Sequence, residues 1–195
     1  NLLEPWATQP AVSQALVSSL ADTNALVRSA AVRVLETSLS ASLPGVEAAL
    51  RAHLQDSSRD VRLAAAWALR SDLDLQSRAG QELLEYLHFN ADQPAGQMQA
   101  GIFCYSRKDV PGAIEHLQKA LGWDPYSTPI RVQLAVVLSR QNQPQQALEL
   151  LKACCQFTPK DAELRFHLGL AYNEAGNLAE AARQLQQAVQ LNPGL

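Results

Sequence analysis

Residues 162–195 read AELRFHLGLAYNEAGNLAEAARQLQQAVQLNPGL, and this stretch decides the fold because its columns recur 34 residues earlier and again 34 before that. Gly101, Ala135 and Gly169 share one column, Ala113, Ala147 and Ala181 a second, Leu117, Leu151 and Leu185 a third, and Ala120, Cys154 and Ala188 a fourth. Self-similarity at a fixed period marks an array of like supersecondary units. Small residues in three of the columns suit two helices in close approach, with the leucine column filling the space between them. Pro125, Pro159 and Pro193 close the units. A proline disfavours helix at the residue before it and cannot continue the hydrogen-bond ladder behind it.

Turn residues also recur inside the units, at Lys108-Asp109, at Gln141 to Pro144 and at Ala175-Gly176-Asn177, each between two stretches of helical periodicity. First helices are therefore predicted near 94–107, 128–141 and 162–175, and second helices near 110–122, 144–157 and 178–191. Residues 94–195 resemble the tetratricopeptide repeat family over three units, 94–127, 128–161 and 162–195. The last unit carries Leu168, Gly169, Tyr172, Ala181, Ala188 and Pro193 in the family's places. The middle unit departs with Ala135 for the glycine, Leu138 for the tyrosine and Cys154 for the alanine, all of which can be buried. The resemblance implies an all-α fold, a right-handed superhelix of stacked helix pairs.

The first half repeats at the same length with other content. Pro10, Val12, Ala15, Leu16 and Leu20 map onto Pro44, Val46, Ala49, Leu50 and Leu54; Asp22, Val27, Arg28, Ala30, Ala31 and Leu35 map onto Asp56, Val61, Arg62, Ala64, Ala65 and Leu69. The D-x-x-x-x-V-R-x-A-A pattern resembles HEAT repeats and assigns residues 1–74 to HEAT-like units. An aspartate before a helix suits its N-terminal dipole, and the arginine near the helix start is placed to bond back to that turn or to the next unit's aspartate. Asp22, Arg28, Asp56 and Arg62 are read as structural. Residues 75–93 form a junction, with a helix over 75–89 bearing Leu75, Ala79, Leu83 and Tyr86 on one face. Ala79 and Leu83 keep the 34-residue register, which predicts one continuous superhelix. Leu2 and Leu3, after an opening Asn1, read as the tail of a helix from something longer.

A formal charge of −3 and a pI near 5.8 supply no basic field for nucleic acid or anionic lipid. No apolar run approaches the ~20 residues of a membrane-spanning helix, so the chain reads as soluble. Cys104, Cys154 and Cys155 form no C-x-x-C pair and no zinc spacing. Nucleotide-binding, metalloprotease and hydrolase signatures are missing, so no catalytic site and no cofactor is expected.

Glu85 and His88 make one E-x-x-H, where a di-iron site needs two copies and further carboxylates; a surface pair is the simpler reading. His53, His116 and His167 fall in different units and read as surface or groove residues. Cys104 and Cys154 sit in packing columns, and Cys155 is expected to face away from the core neighbours of Cys154. Trp123, in a column with Phe157 and Leu191, reads as core. Trp67 stands where the preceding unit has Arg33, so it is expected to be largely buried under the helix at 75–89.

In the tetratricopeptide family the inner face of the first helices lines a concave ligand surface. The resemblance places Met98, Ile102 and Tyr105, then Val132, Val136 and Ser139, then Phe166, Leu170 and Asn173 on it. The lysines and asparagines with which some members clamp a terminal carboxylate are not the pattern here. Two readings of this mostly apolar set stay open: side chains partly buried between adjacent helices, or a groove for a helix or extended segment. The first function implied is a protein-interaction scaffold with a polypeptide partner. The second follows from the order of the two repeat types and the passage from Asp56 to Pro94, which loosely resembles the C-terminal region of bacterial exported multihaem cytochrome-like proteins. It implies a docking or structural module of a periplasmic electron-transfer parent; without such a parent the chain is expected in the cytoplasm. The third is self-association of uncapped repeat ends.

Overall fold

The computed structural model describes residues 9–39 and 45–194. The readings placed on Asn1 to Leu3 and on Pro44 lie outside them. Regular structure among the described residues is helical throughout: α1 (Pro10–Ser19), α2 (Ala25–Leu39), α3 (Val46–Ala52) with a 3-10 turn (His53–Gln55), α4 (Arg59–Ala68), α5 (Arg78–Phe89), α6 (Pro94–Ser106), α7 (Val110–Trp123), α8 (Thr128–Arg140), α9 (Pro144–Phe157), α10 (Ala162–Glu174) and α11 (Leu178–Leu191). No described helix is long and apolar enough to cross a membrane. The contacts group into two compact units that divide between Phe89 and Asn90.

In the first unit α2 packs on α1 and α4, and α4 packs on α5. Its core is Leu16, Leu20, Val32, Leu35, Val46, Leu50, Val61 and Ala65. The HEAT arginines act as read. Arg28 donates to the carbonyl oxygens of Asp22 and Thr23 and to the carboxylate of Asp56 in the next unit. Arg62, almost fully buried, donates to the carbonyls of Asp56 and Ser57 and to both carboxylate oxygens of Glu82 on α5. His53 bridges two elements, with Nδ1 2.8 Å from the Ala49 carbonyl and Nε2 2.9 Å from that of Leu20.

Trp67 is half-buried rather than enclosed. It lies on the side of α4 opposite Ala65 and Arg62, and the guanidinium of Arg70 covers its ring at 4.6 Å from the centroid. The indole is thus capped by a cation, a contact that leaves part of the ring in water.

In the second unit the helix pairs α6–α7, α8–α9 and α10–α11 pack tightly, and each pair stacks on the next. Pro94 and Pro144 open α6 and α9, where no intrahelical donor is lost. Asp109, Asp161 and Asn177 cap α7, α10 and α11 by accepting from the backbone N–H of Gly112, Leu164 and Glu180. The turn inside each unit needs a left-handed residue at one column, filled by Lys108 (φ 66°), Asn142 (φ 59°) and Gly176 (φ 80°).

The repeat columns are the packing contacts. Ala113, Ala147, Leu117, Leu151, Ala120 and Cys154 are buried. A Cβ on Gly101 would stand 2.7 Å from Leu117 Cγ, and one on Gly169 2.7 Å from Leu185 Cγ, so glycine sets how closely these helix pairs approach. The Trp123 column departs from the reading: Trp123, Phe157 and Leu191 are 46%, 60% and 43% exposed. At 100° per residue Trp123 lies roughly 90° round α7 from the middle of the buried face formed by Ala113, Leu117 and Ala120. The aromatics of this column find lateral partners instead, Lys119 over Trp123 and an edge-on contact between Tyr126 and Phe157. Cys155 also departs, since it packs partly against the core of this unit.

Candidate functional site

The first helices are neighbours, α6 touching α8 and α8 touching α10. Between α8, α9 and α10 an open cavity of about 190 Å³ is lined by Ala135, Val136, Ser139, Arg140, Ala147, Leu151, His167, Leu170, Ala171 and Glu174. Ala135, Ala147, Leu151 and Ala171 are buried. Three of these four are alanines, so the space between the helices is left unfilled. Val136 is half-buried, and Leu170 is 41% exposed at the mouth.

Of the sequence-derived set, the structure brings Val136, Ser139 and Leu170 together around this cavity. Met98, Tyr105 and Val132 are half-buried against the hydrophobic core of their unit. Ile102 and Phe166 are half-buried, the Phe166 ring meeting that of His167 edge-on at 5.9 Å, and Asn173 is exposed. Three of the nine thus pack at the edge of the core, and three line the cavity.

The lining also holds His167, which the sequence reads as a surface or groove residue, and Arg140 and Glu174, which it does not single out. A signal for two of them exists, since Arg140 and Glu174 share a column one helical turn beyond Val136 and Leu170. Among the described residues neither takes part in any of the ion pairs.

The remaining candidates lie elsewhere. Glu85 is 3.7 Å from Arg59, and these two line a second open cavity, about 290 Å³, with Tyr86 and Phe89. Among the described residues no group of three or more His, Cys, Asp or Glu converges. His116 Nδ1 is 2.7 Å from Oε1 of the buried Gln97. Burial pushes the thiols of Cys104, Cys154 and Cys155 upward, away from the reactive thiolate.

Stacked helix pairs with a lined gap between first helices define an α-helical repeat protein. Family models for tetratricopeptide repeats match residues 105–154 and 132–195, and one for HEAT repeats matches 13–95. The chain thus carries HEAT repeats over residues 13–95 and, C-terminal to them, tetratricopeptide repeats over residues 105–195.

Among solved structures, MamA 41-end from Desulfovibrio magneticus RS-1 is 28% identical, with a TM-score of 0.53 over 67% of this chain and 76% of that one. A crystal structure of MamA is 17% identical, with a TM-score of 0.54 over 84% and 81%. YrrB, described as a TPR protein with an unusual peptide-binding site, is 17% identical, with a TM-score of 0.53 over 92% and 93%. The last two likenesses show the fold alone. No curated protein matches the sequence.

Proposed function

We propose that residues 94–195 are a polypeptide-binding module whose partner seats an apolar side chain in the cavity between α8, α9 and α10. The observation that carries this reading is Leu170, a large apolar residue left 41% exposed at the mouth of an apolar-floored cavity beside Val136. An apolar cavity of about 150 Å³ holds a benzene ring. A space of about 190 Å³ therefore accepts a leucine or phenylalanine side chain. Helical-repeat surfaces bind extended or helical segments through such anchors, and the peptide-binding site named for YrrB is a precedent on the same fold. The module supplies a surface and no catalysis.

The test is selection of a phage-displayed random peptide library on the whole chain, followed by calorimetric titration of the enriched peptides. Val136→Glu with Leu170→Glu is expected to lower their affinity at least about tenfold while circular dichroism stays unchanged, since a buried carboxylate opposite an apolar anchor is strongly unfavourable. Equal binding by the folded double variant, or no enrichment at all, rules the cavity out.

A further inference from the structure

The rim of the cavity carries one positive and one negative side chain on opposite helices, Arg140 at the end of α8 and Glu174 at the end of α10. Among the described residues they are spent neither on each other nor on another ion pair. The corresponding residue of the first unit, Ser106, is neutral and donates its hydroxyl to the Phe103 carbonyl at 2.7 Å. The charged rim is thus confined to the gap between the second and third tetratricopeptide units, where the cavity lies.

Resting on the cavity as the partner site, we propose that the rim reads charge: the segment it selects carries one large apolar residue flanked by an acidic residue, which meets Arg140, and a basic one, which meets Glu174. In an extended segment the rise is about 3.3 Å per residue, so residues one or two positions either side of the anchor lie about 3–7 Å away from it. Long rim side chains cover the rest of the distance. Arg140 offers a fork of donors suited to a carboxylate, and Glu174 accepts from lysine or arginine. The same arrangement repels the wrong partner. A doubly acidic segment meets Glu174, and a doubly basic one meets Arg140, so discrimination comes from repulsion as much as attraction.

The probe is the same random peptide library, selected in parallel on the unmutated chain, on Glu174→Arg and on Arg140→Glu. Both substituted residues are exposed, and helicity is checked in each variant. Peptides from the unmutated chain are expected to carry one charge of each sign beside the anchor. Those from Glu174→Arg should carry two acidic residues, and those from Arg140→Glu two basic ones. A peptide selected on the unmutated chain should lose about 2–5-fold in affinity for each rim charge neutralised, the range for exposed pairs. The loss should vanish in 1 M salt, where screening acts within ~3 Å. Enriched peptides that share an apolar anchor but show the same charge composition on all three proteins overturn the charged rim and leave the cavity standing. Failure to enrich any peptide removes the cavity reading itself, and this inference with it.

Discussion

Arg28 lies bidentate against Asp56, Nε to Oδ2 at 2.8 Å and Nη2 to Oδ1 at 2.7 Å, joining the second helix of one HEAT unit to the turn of the next. Arg62 repeats the contact 34 residues on, with Glu82 supplying the carboxylate at 2.8 and 2.6 Å. The same arginines hold the carbonyls of their own turns, so each fixes a loop and an inter-helix contact at once.

These pairs make the first unit acid-sensitive. Asp56 and Glu82 are both held below the ordinary carboxylate range, foremost by the hydrogen bonds from Arg28 and Arg62. Between that lowered value and the unfolded one, near 4, the folded chain binds fewer protons than the unfolded chain. Their contribution is therefore complete above about pH 4 and is lost as pH falls through the folded values. Urea midpoints measured from about pH 6 to pH 2 should fall on acidification. They should fall less steeply in the Asp56→Asn, Glu82→Gln double variant, and identical slopes would refute the assignment.

Close helix approach in the third tetratricopeptide unit rests on Gly169. Its absent Cβ would also lie 2.8 Å from Leu185 Cδ2 and 3.3 Å from the Ala181 carbonyl. Gly169→Val should destabilise by about 1–3 kcal/mol, the usual overpacking range. Denaturant unfolding checks this, and a stability gain would mean that α10 and α11 separate without loss.

Leu168 and Leu170 stand two residues apart on α10 with opposite roles: Leu168 is 3% exposed, Leu170 41%. Leu168→Ala should cost about 3–4 kcal/mol through the cavity it leaves. Leu170→Ala should stay below about 1 kcal/mol, as surface changes do. Equal costs would return Leu170 to the core and take the cavity mouth with it.

Trp123 should report water. A variant in which Trp6 and Trp67 are replaced by phenylalanine should show red-shifted emission, because Trp123 is 46% exposed. Trp123→Ala should cost well under the ~3–5 kcal/mol of a buried aromatic deletion. A blue, quencher-resistant emission would place the indole under a neighbour.

The sequence by itself determined the array. Pro94, Pro125, Pro144 and Pro159 mark helix boundaries through backbone sterics, which act within a few residues and need no tertiary context. The column residues Gly101, Ala113 and Leu117 define which faces meet within a helix pair, because helical periodicity places them on facing sides. The partners of Arg28 were legible for the same reason, the recurrence of Asp56 at the next turn.

Other features belong to the tertiary structure alone. Trp123, Phe157 and Leu191 form a column as regular as the leucines, yet they face outward, since shared register does not say whether a neighbour covers them. Trp67 likewise stays half-buried, with Arg70 over its ring, where full burial was expected. The cavity needed three helices at once: Ala135 on α8, Ala147 on α9 and Ala171 on α10 each leave a little space, and only their convergence makes it a site. Arg140 and Glu174 share a repeat column that the sequence displays, but only the packing of three helices around a gap makes that column a rim.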